Sequence, residues 1–219
     1  MELSIISRDT IKPSLDSSSL KHVSPFKLSL VDQLTPATYM PLILFYPMVP
    51  ISDPKSSFNL LETLTRLKSS LSETLTLYYP FSGRAKNNLY IHDFDTGIPF
   101  LEARVNCRML DFLKLQETEL LNRFVPFQPI CKETDDESLL PMIAFQVNVF
   151  ACGGTAIGGS ASHKLCDGLA VNSILESWAA IFRGELDKDI CLCLISSVHL
   201  TLPKPHLSFH QELCCLKSI

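Results

Sequence analysis

One stretch decides the fold: "MIAFQVNVFACGGTAIGGSASHKLCDGLAV", Met142 to Val171. In its first part Phe145, Val147 and Val149 point one way, and Gln146 and Asn148 the other. That period of two is a β-strand's, and its apolar content places it centrally in a sheet. A glycine-rich run, Cys152–Gly159, then leads to His163 and Asp167, four residues apart. Beyond Asp167 and Gly168, "LAVNSILESWAAIFRG" (Leu169–Gly184) reads as a helix stopped by Gly184. A strand end, a turn and a helix start therefore meet at His163.

That arrangement leaves two readings of His163. A neutral imidazole takes a proton from a hydroxyl or amine near neutral pH, since its ordinary pKa is about 6.5. A turn between two rigid elements holds such a group well. The other reading is a histidine in a turn, because a bare His-x-x-x-Asp arises often by chance. Asp167 orients the ring in the first case. In the second it pins the turn through backbone or an arginine.

Working outward, Leu60, Leu64, Leu67, Leu71 and Leu75 recur at three and four residues. They predict an amphipathic helix over Phe58–Leu75, started near Pro54 and Ser56–Ser57 and ended by Pro80. "SPFKLSLVDQLTP" (Ser24–Pro36) alternates Phe26, Leu28 and Leu30 with polar residues and reads as a strand. "TYMPLILFYP" after it is a second extended piece. Strands near Leu89–His92 and Phe100–Val105, joined by an Asp-Thr-Gly turn, read as a hairpin or neighbours. Met109–Pro126 carries a weaker helical pattern. From Glu185 the sequence has no steady period.

The composition is globular: 219 residues, 46% hydrophobic and 19% charged, with a formal net charge of −4. A pI near 5.8 and scattered cations argue against a nucleic-acid binder. No leader is visible at the start. The most apolar run, Tyr39–Ile51, is short and holds three prolines, which argues against a membrane span. The eight cysteines then read as reduced and the location as cytoplasmic.

Other candidate chemistry is weaker. Cys166 has His163 three residues away, but a buried structural cysteine is the plainer account. Cys152–Gly159 lacks both the Gly-Lys-Ser/Thr ending and the dinucleotide spacing, so its glycines read as places of close approach. His92 reads as a solvated histidine at a strand end. The acidic "KETDDES" (Lys132–Ser138) reads as a solvated loop. His206, His210, Cys214 and Cys215 have helix-like spacing, but nothing else there supports zinc, and no metal is expected.

At "FACGGTAIGGSASHKLCDG" (Phe150–Gly168) the chain resembles the plant BAHD acyltransferases, whose pattern there is FxCGGxAIGxxxSHKxxDG. Further landmarks follow the family's order: "LSLVDQ" (Leu28–Gln33), "LSETLTLYYPFSGR" (Leu71–Arg84), "GIPFLEARV" (Gly97–Val105), "VPFQP" (Val125–Pro129) and "ESWAAIFRG" (Glu176–Gly184). The style is similar to the vinorine-synthase-like branch. The resemblance covers Met1 to about Gly184 and implies an α/β fold like chloramphenicol acetyltransferase's, of which this chain holds one lobe. Residues 1–184 would be the N-terminal lobe, a mixed β-sheet flanked by helices. Residues 185–219 would be an atypical tail, with truncation before the second lobe and its Asp-Phe-Gly-Trp-Gly motif.

The resemblance also implies a reaction. An acyl group, acetyl by family preference, passes from coenzyme A to a hydroxyl or amine of a plant secondary metabolite such as an alkaloid. His163 is the general base. Asp167 and Gly168 are structural, with Asp167 paired to an arginine. No acyl-enzyme is needed, so Cys166 has no covalent role. Acyl-CoA is a co-substrate rather than a bound cofactor. The family is monomeric, but an open lobe interface favours association. The rival expectations are an inactive fragment that pairs with a full-length relative, and an unrelated binding domain.

Overall fold

The computed structural model describes residues 1–15, 20–48, 59–128 and 140–185. The first elements are β1 (Leu3–Ile11), β2 (Phe26–Lys27), α1 (Leu30–Leu34), β3 (Tyr39–Tyr46) and α2 (Leu60–Leu77). Next come β4 (Arg84–Lys86), β5 (Tyr90–His92), β6 (Ile98–Val105), α3 (Met109–Leu115) and α4 (Thr118–Leu121). The last are β7 (Ile143–Phe150), β8 (Thr155–Ser162) and α5 (Gly168–Arg183). Short 3-10 turns cover Tyr79–Ser82 and Asn122–Phe124.

The main sheet has five strands in the order β1-β6-β7-β8-β3. β6 and β7 run parallel and the other pairs antiparallel, so the sheet is mixed. The expected central strand is β7. Its Phe145 and Val147 face a core built with α2 and α5. Its Phe150 faces a second core holding Met109, Phe112 and Phe124. Gln146 and Asn148 on that second side are buried rather than solvated, and their amides donate to Arg123 O at 2.9 Å and Phe124 O at 3.0 Å. Buried amides are tolerated where each donor finds a carbonyl.

The leucine stripe became α2 as its period required. Leu64, Leu67, Leu71 and Leu75 are buried. Its cap is Asn59, whose Oδ1 accepts from Glu62 N at 3.3 Å. The expected start at Pro54 and Ser56–Ser57 lies outside the described residues. Pro80 opens the 3-10 turn, where its missing N–H costs no helical bond. Trp178 of α5 packs against Phe145 at 4.7 Å between ring centroids. Its indole N–H donates to Leu67 O at 3.1 Å and Ser70 Oγ at 3.0 Å, tying α5 to α2.

Three expectations need correction. Ser24–Pro36 is not one strand: after Phe26–Lys27 it turns into α1. Ser29 Oγ accepts from Asp32 N at 3.2 Å while Ser29 N donates to Asp32 Oδ2 at 2.8 Å, a capping box that closes a helical turn on an alternating sequence. The strands at Leu89–His92 and Phe100–Val105 are not paired. β5 joins β2 and β4 in a separate three-stranded sheet, while β6 pairs with β1 and β7. Left-handed backbone at Asp93 (φ 57°) and Gly97 (φ 80°) turns the chain out of one sheet and into the other. Met109–Pro126 is broken rather than continuous, because Gln116 adopts φ 52° and ends α3.

β3 is an edge strand. Ser162 N donates to Met142 O beside β7 at 2.8 Å, so its partner Tyr39 turns its own N–H outward. By alternation Pro41 faces outward too, where a residue without N–H breaks no ladder bond.

Candidate active site

The chain reaches His163 at the tip of β8. His163 N donates to Thr38 O at 2.9 Å, extending the β8–β3 pairing by one residue and fixing the backbone there. Leu165 N and Cys166 N then both donate to Ser162 O, at 3.2 and 3.3 Å, which closes a tight turn. The His163 side chain is exposed while Lys164, Leu165 and Cys166 around it are buried. A rigid, mostly buried turn thus presents one imidazole to solvent.

Asp167 is the N-cap of α5. Its Oδ1 accepts from Ala170 N at 2.9 Å, satisfying one of the free N–H groups of the first turn. Gly168 begins the helix, with no atom within 4 Å of where a Cβ would stand. The arrangement therefore gives Asp167 a holding role at the turn's far end.

Lys164 was not foreseen. It is 2% exposed, and its Nζ donates to Thr35 O at 3.2 Å and Asn88 Oδ1 at 2.5 Å. Asn88 Nδ2 in turn donates to Gln33 O at 2.8 Å. One buried side chain thus links the His163 turn to the end of α1 and to the β4–β5 hairpin. The motif contained this lysine, but no periodicity marks a lysine for burial. A charged residue beside a turn is ordinarily solvated.

Cys166 is buried, and its Sγ donates to Ser162 O at 3.1 Å. Burial pushes its thiol up to about 12, with Asp167 adding to the shift. A thiol so held is no nucleophile near neutrality.

The glycine-rich run is a hairpin turn and a strand, not an anion cradle. Gly153 takes φ 82° in the β7–β8 turn. A Cβ on Gly158 would stand 1.9 Å from Phe124 O, so the 3-10 backbone already fills that space. His92 is half-buried rather than solvated: Nδ1 lies 2.9 Å from Asp93 Oδ2, and Nε2 is enclosed. Lys132–Ser138, His206, His210, Cys214 and Cys215 lie outside the described residues. Among the described residues no group of three or more His, Cys, Asp or Glu is placed to hold a metal ion. No helix among them is long and apolar enough to cross a membrane.

An apolar groove of roughly 580 Å³ lies between the β3 edge and α5, lined by Leu44, Tyr46, Met48, Ile157, Trp178 and Phe182. Thr155 and Ile157 place it beside the start of β8. Ile157 and His163 are six residues apart on an extended strand, about 20 Å at the usual rise. The groove is therefore not the His163 site.

The model of the Transferase family matches residues 1–212. The chain belongs to the BAHD transferase family. It is 36% identical over 208 residues to akuammiline synthase 2 of Alstonia scholaris, covering 95% of this chain and 44% of that protein. It is 40% identical over 185 residues to limonoid 21-O-acetyltransferase of Melia azedarach, covering 84% and 41%. The crystal structure of vinorine synthase superposes with a TM-score of 0.74 at 33% identity, over 85% of this chain and 44% of that one. The fold is thus a single α/β lobe of this family, as the motif run implied. The chain spans less than half the length of these relatives.

Proposed function

We propose that residues 1–184 form the N-terminal lobe of an acyl-CoA-dependent acyltransferase, with His163 as its general base. The observation that carries this is the exposed imidazole at the tip of β8, on a turn fixed by Thr38, Ser162, Lys164 and the Asp167 cap. A base must stay put while the substrate arrives, and positioning of this kind is worth several powers of ten in rate. The relatives' names support acetyl transfer to hydroxyls of plant metabolites. The acyl-CoA donor follows from the family resemblance.

The chemistry balances without a covalent intermediate. The imidazole takes the proton of an acceptor hydroxyl as its oxygen attacks the thioester carbonyl. The tetrahedral intermediate collapses, the C–S bond breaks, and the departing thiolate takes that proton back. Cys166 takes no part, since its thiol stays protonated and enclosed. The acceptor class is a secondary-metabolite alcohol, alkaloid or terpenoid.

The test is release of free CoA thiol from acetyl-CoA in the presence of a panel of such alcohols. Release by the wild type, reduced at least about a hundredfold in His163→Ala, is expected for loss of a general base. Equal rates in the two proteins would remove His163 from the reaction. No release by a folded wild type would sink the activity for this chain and leave the inactive-partner account standing.

A further inference from the structure

At the opposite end of the sheet from His163, two thiols meet. β6 and β7 run parallel with Val105 opposite Phe150, and both strands stop there. The segments just beyond stay in contact: Ala151 N donates to Cys107 O at 3.1 Å. Met109 N, two residues past Cys107, donates to Cys152 Sγ at 3.5 Å. Both cysteines pack against one buried cluster that contains Val105, Met109, Phe112 and Phe150. Both are free and half-buried, so a small solute reaches them. Neighbouring strands lie about 4.8 Å apart, within the span of about 4.4–6.8 Å between Cα atoms that a disulfide bridges.

We propose that Cys107 and Cys152 form a redox pair, a modification site for peroxide-class oxidants that closes into a disulfide joining the ends of β6 and β7. The two thiols are unequal. N–H groups of Met109 and Gly154 around the Cys152 sulfur hold its thiol below the ordinary range. Burial, with Asp111 and Cys152 nearby, pushes the Cys107 thiol up. Cys152 is therefore the sulfur oxidised first and Cys107 the one that resolves it. The Cys152 thiolate attacks one oxygen of hydrogen peroxide, the O–O bond breaks, and the departing hydroxide leaves as water. The Cys107 sulfur then attacks the sulfenic sulfur, the S–O bond breaks, and a second water carries off the thiol proton. Two thiols lose two electrons in all, and one peroxide gains them.

The experiment uses the reduced full chain and one equivalent of hydrogen peroxide, then alkylation, trypsin and mass spectrometry. Trypsin isolates each thiol. Val105–Arg108 holds Cys107 alone, Glu133–Lys164 holds Cys152 alone, and Cys166 falls on a third peptide. The first two joined, with loss of two hydrogen atoms, and Cys166 still alkylated after unfolding, is the expected result. In Cys107→Ser the sulfenic acid on Cys152 persists and dimedone captures it. In Cys152→Ser the cross-link is lost and Cys107 stays reduced. The proposal is overturned if Cys152 couples to another cysteine, or if the native wild type yields no more cross-link than the urea-unfolded chain. The wild-type map decides this even where a variant fails to fold.

Discussion

Adding one methyl group to β8 tests why the motif is rich in glycine. In Gly158→Ala the new Cβ would stand 1.9 Å from Phe124 O and 2.8 Å from its carbonyl carbon. Ordinary non-bonded contacts sit at about 3.5–4.0 Å, so the Asn122–Phe124 backbone must withdraw by more than about 1 Å. That withdrawal stretches two bonds from buried amides. Asn148 Nδ2 now reaches Phe124 O at 3.0 Å, and Gln146 Nε2 reaches Arg123 O at 2.9 Å. Overpacking costs about 1–3 kcal/mol, and the two stretched bonds add up to about 1 kcal/mol each, since Gln146 Nε2 keeps Asn148 Oδ1 and Asn148 Nδ2 keeps Ala156 O as acceptors. Relaxation spreads the strain, so the expected loss is about 3 kcal/mol, or roughly 6–12 °C in Tm for a domain of this size. Urea unfolding followed through the single tryptophan, Trp178, reads it directly. Gly168→Ala is the control, since no atom lies within 4 Å of its would-be Cβ. It should unfold within about 0.5 kcal/mol of the wild type or gain a little. If Gly158→Ala also stays within about 0.5 kcal/mol, the close-approach account of this glycine is wrong.

The Asp167 cap gives a second expectation. Asp167→Ala should lose about 1 kcal/mol in thermal melts while Asp167→Asn keeps most of it, because an amide oxygen caps nearly as well. Equal losses in both would mean that something other than the cap holds the turn. For Cys166, iodoacetamide should leave the native thiol unmodified at mildly alkaline pH and label it in urea, and native labelling at the unfolded rate would contradict its burial. The same thiol gives a pH dependence. In the unfolded chain it ionises from its ordinary 9.0, whereas in the folded chain it holds its proton to about 12. The folded state thus binds the extra proton, and stability falls as pH rises through that window, by about 1.4 kcal/mol per pH unit from this group. Denaturation midpoints across the window should show this share in the wild type and not in Cys166→Ala.

Long, strongly periodic segments were legible in the sequence. α2, α5 and β7 bury one stripe or face against a large core, and their periods say so. Short segments were not, because single interactions overrode their patterns. At Ser29 a capping box bent an alternating run into a helix, and at Gln116 one left-handed residue cut a helical pattern in two. β1 went unread because an edge strand whose first six residues alternate only between half-buried and exposed leaves little apolar signal. The His163 turn was legible through its motif. Lys164, which ties it down, was not, since its partners Thr35 and Asn88 lie far away in the chain.

The contact at Gly158 also acts as a length gauge. The Asn122–Phe124 backbone grips β8 at Gly158, and His163 projects five residues later. At about 3.3 Å per residue that sets the imidazole roughly 16 Å from the grip. Deleting one residue between them would pull the imidazole back by one step and swing it to the opposite face of the sheet. Deleting two would restore the face but leave it about 7 Å short. Side chains along Gly159–Ser162 can therefore change more freely than their number. Across variants of this lobe, gaps should be absent from that interval even where substitutions are not.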